Sequence, residues 1–325
     1  MALDIRILGR QGADNAVLVN ISTGQQNSRL LMDCGEGTVS SLSMAESSGI
    51  DHVLFSHYHM DHIAGFDSFF RRHYDRSDRV NHLWGPPGTI EIMGHRFRSF
   101  VWNLIGTRQS TWLCHDIHTD RVDTTRYELA EAFKKAHVEA GDATPTTLFR
   151  GPGYQVSALT LDHGIPSIGY LVREDDRLNV DVAQLQSLGL KPGPWLKTLP
   201  TDQVSIIDGK QRDSEALRQQ LLKQTPGESM AFLTDFIAED ENERERIAAI
   251  IRGVSTLVCE CQYRAADIEL ARRNNHMTTE LVGMLAKAAA PGRLLLTHFS
   301  ERYQPHEWRE MEEEVQCCFP NTSPL

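Results

Sequence analysis

Three histidines and one aspartate occur within six consecutive positions early in the chain. They follow a short apolar run, residues 53–55, that predicts a buried strand. His57 and His59 are two positions apart, so in an extended segment their side chains point to the same side, and Asp61 and His62 follow where the chain must turn. Imidazole and carboxylate are ligand types that suit zinc and related divalent ions. This run therefore predicts part of a metal site, and the rest of the chain must supply the remaining ligands.

The missing ligands are expected at the ends of other apolar strands. Five predicted strands run directly into acidic or histidine residues, which are Asp33, His57, Asp162 with His163, Asp235 and His298. In layered α/β folds, polar sites form beyond the carboxyl ends of the strands. These residues are therefore predicted to share one site. A division into two independent domains would cut that site apart, so we predict a single domain over residues 1–325.

The elements that must position these side chains follow an α/β rhythm. Strands are predicted at 3–8, 16–21, 154–161, 230–233, 256–261 and 294–296, and helices at about 63–70, 127–138, 241–252, 279–290 and from Pro305. Two regions depart from this rhythm. Residues 91–150 form a variable insertion rich in Arg and His, and residues 172–215 form an arm-like region with Gly, Pro, many charges and one short helix.

Composition narrows the class of protein. The 325 residues carry a net charge of −11, so bulk charge does not indicate a nucleic-acid binder. The chain has no apolar stretch of the roughly 20 residues that a membrane span needs, and no basic start followed by an apolar signal core. Its six cysteines show no framework spacing, and Cys259 and Cys261 alternate as two small residues on one face of a strand. We therefore expect a cytoplasmic protein without a membrane partner.

Several segments carry a family resemblance. Residues 57–62 resemble the signature of the metallo-β-lactamase superfamily. Four later segments resemble motifs of ribonuclease Z, the tRNA 3′-processing endonuclease. Residues 161–170 resemble its third motif, and residues 188–194 resemble the stretch after its flexible arm. Residues 275–278 resemble its penultimate histidine segment, and residues 296–303 resemble its last histidine motif. The resemblance extends over about residues 3–303 and is weakest within the insertion.

The resemblance implies a four-layer αββα metallo-β-lactamase sandwich with an inserted arm and two divalent metal ions, usually zinc. One ion would be held by His57, His59 and His163, the other by Asp61, His62 and His298, and Asp235 would bridge them with a water or hydroxide. Two cations together lower the pKa of a shared water and neutralise the oxyanions of an in-line displacement at phosphorus.

The resemblance also assigns parts in catalysis to Asp61, His276 and Glu260. His276 lies just before a predicted helix, whose N-terminus favours anions, and would donate a proton to the leaving oxygen or stabilise the transition state. Glu260 matches the acidic residue that orients this histidine. The alternative for His276 is a capping or surface residue.

Other polar residues could belong to the site or have only a structural role. Asp33 and Asp162 either hold ligand imidazoles or form turns. Residues 114–118 and His82 offer ligand types but are expected in loops.

The leading expectation is a dinuclear zinc-dependent phosphodiesterase that cleaves precursor tRNA 3′ ends with a metal-bridging hydroxide, and the resemblance suggests a homodimer. The sequence departs from the family at the N-terminal turn, at Phe236 after the bridging aspartate, and at Cys259-Glu260-Cys261-Gln262 in place of His-Glu-Ala-Thr. The arm-like region has six Lys/Arg and eight Asp/Glu, a net of 6 − 8 = −2, which suits phosphate binding poorly.

Two alternatives therefore stay open. One is a small-molecule hydrolase of the same fold, acting on a cyclic nucleotide, a sulfate ester or a lactone. The other is a metal-dependent binding module without activity.

Overall fold

Two sheets and the helices outside them make up most of the chain. The computed structural model describes residues 2–22 and 26–323. It divides into two compact units, one formed by residues up to 173 together with those from 228 onward, and the other by residues 174–227.

The first sheet has eight strands in sequence order. They are β1 (Ala2–Gly9), β2 (Asn15–Ser22), β3 (Asn27–Met32), β4 (Ile50–Leu54), β5 (Asn81–Gly85), β6 (Thr111–Ile117), β7 (Val122–Glu128) and β8 (His137–Glu139). Strands β3 to β6 run parallel, and the outer pairs are antiparallel. Successive side chains of β2 point to opposite faces of this sheet, and both faces are covered. Val17 and Val19 face the second sheet, whereas Ala16 and Leu18 face the helices.

The second sheet has seven strands in the order β19-β18-β17-β16-β11-β10-β9. These are β9 (Phe149–Gly151), β10 (Tyr154–Asp162), β11 (Pro166–Glu174), β16 (Ser229–Leu233), β17 (Thr256–Glu260), β18 (Arg293–Thr297) and β19 (Thr322–Ser323). Strands β16 to β19 run parallel. Both faces of β16 and β17 are buried, as their continuous apolar sequences require.

Helices cover the outer face of each sheet. They are α1 (Met44–Ser48), α2 (Met60–Ile63), α3 (Phe66–His73) and α4 (Thr89–Arg98) near the first sheet, and α8 (Glu241–Ile251), α9 (Ile268–Asn274), α10 (Thr279–Ala289) and α11 (Pro305–Cys318) near the second. Short 3₁₀ turns occur at Thr38–Ser41, Leu129–Glu131 and Ala265–Asp267. Within the described chain, no helix has the length and apolar character needed to cross a bilayer.

Three apolar layers hold the sandwich together. Phe66, Phe70 and Phe97 pack from the helices onto the first sheet, and Ile247 and Val282 do so on the second. The middle layer joins the sheets through side chains from both, such as Leu54, Met32, Tyr170 and Phe232. The architecture is therefore the predicted four-layer αββα sandwich.

Residues 174–227 have a small core of their own. The unit contains β12 (Arg177–Val180), α5 (Val182–Ser187), α6 (Trp195–Thr198), β13 (Val204–Ile207), β14 (Lys210–Asp213), α7 (Ser214–Leu221) and β15 (Leu222–Thr225). Asp181 and Asp213 cap the N-termini of α5 and α7, and Leu185, Trp195 and Leu221 are buried together. The prediction of one short helix for the arm-like region was therefore wrong. Its interpretation as an arm at about 172–215 on a single domain, with an insertion at about 91–150, stays a prediction.

Two other predictions about residues 80–140 were wrong. Residues 127–138 are the end of β7, a 3₁₀ turn and β8 rather than a helix, because β7 pairs with β6 and buries Tyr127 against Phe97. Residues 114–117 form part of β6, and His82 lies in β5, so neither belongs to a solvated loop. The carboxylate of Asp116 accepts hydrogen bonds from the amides of Gly88 and Ile90 at the start of α4.

Candidate active site

The seven predicted ligands come together beyond the carboxyl ends of four strands, β4, β10, β16 and β18. Two groups form there, each with ligand atoms within 4.8 Å of one another: His57, His59, His163 and Asp235, and Asp61, His62 and His298. Asp61 and His62 lie on the short helix α2 that directly follows the first two histidines. The structure thus unites residues that are up to 241 positions apart (298 − 57).

Asp235 lies between the two groups. Its Oδ2 is 3.5 Å from Nε2 of His57 and 3.5 Å from Nε2 of His163, whereas its Oδ1 is 3.3 Å from Nε2 of His62 and 3.4 Å from Nε2 of His298. Burial alone would raise the pKa of Asp235, but the neighbouring His298 and His62 outweigh burial and hold this pKa well below its usual range. An ionised carboxylate with one oxygen toward each group is the arrangement that a bridging ligand needs.

The loops that carry the ligands are fixed by close backbone contacts. The amide of Cys34 donates to the carbonyl of His62 at 2.8 Å, and the amide of Gly65 donates to the carbonyl of Cys34 at 2.9 Å. A Cβ on Gly65 would lie 2.1 Å from the carbonyl oxygen of Gly35, so only glycine allows this approach. Asp33, Asp235 and His298 have φ angles of 57°, 50° and 54°, in the left-handed region. The chain therefore turns sharply where these three strands end.

Most of the buried imidazoles are oriented through Nδ1. His57 Nδ1 is 3.0 Å from the Ser56 hydroxyl, His62 Nδ1 is 2.8 Å from Asp33 Oδ2, and His163 Nδ1 is 2.8 Å from the carbonyl oxygen of Asn275. These contacts leave each Nε2 facing the other ligands. A second contact of this kind typically fixes the tautomer of a metal-binding histidine.

The two aspartates with open interpretations have different roles in the structure. Asp33 is buried and accepts hydrogen bonds from the amide and hydroxyl of Ser56 as well as contacting His62. Asp162 is exposed, and its carboxylate accepts the amide of Gly164 within a turn. Asp33 therefore supports a candidate ligand, whereas Asp162 forms a turn.

The donor set fits divalent metal ions. Nε2 of His57 is buried and has no hydrogen-bond partner among the residues that the structure describes. Burial lowers the pKa of His57 to about 2, with a further lowering from the neighbouring His62, so its imidazole is neutral. A buried lone pair without a donor is costly unless a cation occupies the site. Five imidazoles and two carboxylates would suit zinc or a related ion.

His276 adjoins the ligands and is held by Glu260. Its Nδ1 is 2.9 Å from Oε2 of Glu260, and Oε1 of the same carboxylate accepts the amide of Phe236 at 2.7 Å. Burial lowers the pKa of His276, but the carboxylate of Glu260 outweighs it, so the pKa is raised overall. The cap of α10 is Thr278, and His276 is buried, so the alternative of a capping or surface histidine does not hold.

His276 also lies within ligand distance of the cluster. Together with Asp235 and His298 it forms a third group whose ligand atoms lie within 4.8 Å of one another. The geometry therefore permits His276 to be a catalyst or a ligand, and its assignment to catalysis stays a prediction.

Sequence reasoning missed two supporting groups, the hydroxyl of Ser56 and the carbonyl of Asn275. Ser56 directly precedes the first ligand, which is a signal that could have found it. The contact of Asn275 depends on a left-handed backbone, φ 56°, just after α9. Asparagine favours such a turn, but this preference does not indicate which side chain the carbonyl contacts.

The sandwich and its site define a metal-dependent hydrolase of the metallo-β-lactamase fold. The metallo-β-lactamase-fold protein YhfI from Bacillus subtilis superimposes with a TM-score of 0.57 at 16% identity, over 98% of this chain and 94% of that one. The short form of human tRNase Z gives a TM-score of 0.56 at 18% identity, over 92% and 93% of the two chains. These likenesses confirm the predicted fold.

Sequence comparison identifies the family. The chain is 44% identical over 319 residues to ribonuclease Z of Deinococcus radiodurans, covering 98% of this chain and 96% of the relative. It is 29% identical to ribonuclease Z of Anoxybacillus flavithermus, over 90% and 83% of the two chains. The chain therefore belongs to the ribonuclease Z family, which confirms the resemblance found in its sequence motifs. A family model described as anti-Pycsar protein Apyc1 matches residues 10–99 only.

Proposed function

We propose that this chain is a dinuclear zinc-dependent endonuclease that cleaves the 3′ ends of precursor tRNA. The observation that carries the proposal is the carboxylate of Asp235, which presents one oxygen to each of two ligand groups. Membership of the ribonuclease Z family, at 44% identity to a relative of that name, supports the substrate. Family membership over nearly the whole chain does not favour the small-molecule hydrolase.

The ligand roles follow from the two groups. His57, His59 and His163 would hold one ion, Asp61, His62 and His298 the other, and Asp235 both. When bound, two cations supply a water of lowered pKa and neutralise negative charge at phosphorus. The Nδ1 contacts of His57, His62 and His163 keep the Nε2 atoms of these three rings directed toward the other ligands.

His276 is the proposed proton donor to the leaving oxygen. Glu260 binds Nδ1 of His276 and, because the carboxylate is itself fixed by the amide of Phe236, sets the plane of the ring. The raised pKa of His276 keeps a proton available at Nε2 near neutral pH. Glu260 thus acts through His276 and does not need to contact the substrate.

The proposal includes a cellular location and an oligomeric state. All six cysteines are free thiols, as in proteins of reducing compartments, which supports a cytoplasmic enzyme. The family resemblance supports a homodimer.

A turnover panel tests the proposal. Protein stripped of metal and reloaded with zinc is given precursor tRNA, bis(p-nitrophenyl) phosphate, a cyclic nucleotide, a sulfate ester and a lactone. We expect cleavage of the tRNA at one position near its 3′ end, with loss of activity on chelation. Hydrolysis of a small ester by protein that leaves precursor tRNA intact would replace the proposal with the small-molecule alternative.

The control for adventitious nuclease is the Asp61→Ala variant. It should bind fewer zinc ions and cleave none of the substrates. Unchanged cleavage by this variant would show that the activity comes from a contaminant.

A further inference from the structure

One imidazole of the site lacks the support that the other buried ones have. Nδ1 of His57, His62, His163 and His276 each contacts an oxygen, from Ser56, Asp33, Asn275 and Glu260 respectively. Nδ1 of His298 is buried, yet it has no hydrogen-bond partner in the described part of the chain. Its Nε2 faces Asp61 and Asp235 at 3.4 Å each. If Nε2 offers its lone pair to a metal, Nδ1 must carry the proton, and that proton needs an acceptor.

A buried acceptor without a hydrogen-bond donor belongs to a residue that lines a cavity together with His298. Oε1 of Gln262 is also buried and, across residues 2–22 and 26–323, finds no hydrogen-bond donor. Gln262, His298 and Asp61 all line a cavity of about 310 Å³. A buried amide oxygen without a donor is unfavourable, so this oxygen and Nδ1 of His298 would both gain from the same contact.

The backbone places Gln262 and His298 in adjacent segments of the chain. Gln262 follows strand β17 and His298 follows the neighbouring strand β18. The amide of Cys261 donates to the carbonyl of Thr297 at 2.8 Å, and the amide of Ser300 donates to the carbonyl of Gln262 at 3.2 Å. Gln262 therefore runs alongside residues 298–300. The terminal torsion of a glutamine side chain is broad, so its amide can turn toward a neighbour at little cost.

We infer that Gln262 is a positioning residue for His298, its Oε1 accepting the Nδ1–H hydrogen bond and so directing Nε2 to a metal ion. The inference rests on the proposed metal centre. Residues 259–262 stand in place of the family segment His-Glu-Ala-Thr. At the last of these positions this chain has glutamine instead of threonine, and the inference gives that glutamine a function. The ion held by Asp61, His62 and His298 should depend on this contact, whereas the ion held by His57, His59 and His163 should not.

Zinc affinity tests the inference separately from activity. Stripped wild type, Gln262→Leu and Gln262→Glu are titrated with zinc against a chromophoric chelator, and the thermal unfolding of each metal-free protein is measured. We expect two ions in the wild type. In Gln262→Leu, one of them should bind about 10- to 100-fold more weakly, while the other and the metal-free melting temperature stay unchanged. Gln262→Glu keeps an acceptor and should retain wild-type affinity.

Gln11→Leu is the matched control. Gln11 also lines a cavity with His298, but its amide donates to Glu312 at 3.5 Å. It should bind both ions as the wild type does. The inference is overturned if Gln262→Leu binds both ions normally, or if both ions weaken together with a lower melting temperature. A wild type that binds no zinc would overturn the proposed metal centre as well, and so tells the two failures apart.

Discussion

Asp33→Asn removes a buried carboxylate that supports a candidate ligand while nearly preserving its shape. Oδ2 of Asp33 lies 2.8 Å from both the hydroxyl of Ser56 and Nδ1 of His62, and Oδ1 accepts the amide of Ser56 at 2.7 Å. An asparagine can still accept from the amide. Its NH₂ group, however, cannot accept from either of the other two donors.

The size of the effect follows from the two lost contacts. Hydrogen bonds to charged groups contribute about 1.5–3 kcal/mol each. Both contacts share one oxygen, and the Ser56 hydroxyl can reverse its role, so the losses do not add fully. We therefore expect the free energy of unfolding of the metal-free protein to fall by about 3 kcal/mol. The ion proposed to bind His62 should bind roughly 10- to 100-fold more weakly, because the imidazole of His62 loses the carboxylate that orients it.

Asp162→Asn is the matched control. Asp162 also lies at the end of a strand and precedes a candidate ligand, but it is exposed, and its carboxylate accepts a hydrogen bond from the amide of Gly164 within a turn. Its replacement should change stability by no more than about 0.5 kcal/mol.

Urea unfolding followed by circular dichroism, with zinc titration of the refolded proteins, measures both quantities. The reasoning fails if Asp33→Asn and Asp162→Asn are indistinguishable in stability and in zinc affinity.

Three further predictions concern catalysis, packing and pH. His276→Ala should slow cleavage by roughly 10²–10⁴-fold and keep both zinc ions; loss of zinc, measured by elemental analysis, would make His276 a ligand instead. Gly65→Ala places a Cβ 2.1 Å from a facing backbone oxygen and should lower stability by about 1–3 kcal/mol and reduce zinc content, whereas Gly141→Ala, whose Cβ meets nothing nearer than 3.9 Å, should do neither. Burial, aided by the charge of Arg76, lowers the pKa of His82 from 6.5 to about 4. Between these two pH values, His82 binds a proton in the unfolded chain but not in the folded one. Stability should therefore be lost as pH falls from 6.5 to about 4, and His82→Phe should flatten that loss in urea titrations at several pH values; an equally steep loss in the variant would exclude His82 as its source.

The strand-end ligands could be predicted from sequence because two independent signals agree at each. An apolar run predicts the strand, and a residue with metal-binding chemistry follows it directly, as at Asp235 and His298. The geometry of parallel strands then brings such positions to one edge of a sheet.

Support for the ligands could not be predicted in the same way. Asp33 and Asp162 have the same local pattern, and only the tertiary contact with Ser56 and His62 distinguishes a buried acceptor from a turn residue. The helix predicted at 127–138 failed for a related reason, because pairing with β6 overrides the local preference. Contacts between distant segments decide both outcomes.

Left-handed backbone at Asp33, Asp235 and His298 has a consequence for directed evolution. Each such conformation costs a non-glycine residue of order 1–3 kcal/mol, and glycine would adopt it freely. Asp33 should be kept in a screen for heat resistance alone, because its carboxylate binds Ser56 and His62. A library of metal-free protein screened in this way should instead accumulate glycine at Asp235 and His298 and yield more stable proteins that no longer load metal. Breeding a thermostable variant of this enzyme requires a screen that scores turnover in every round.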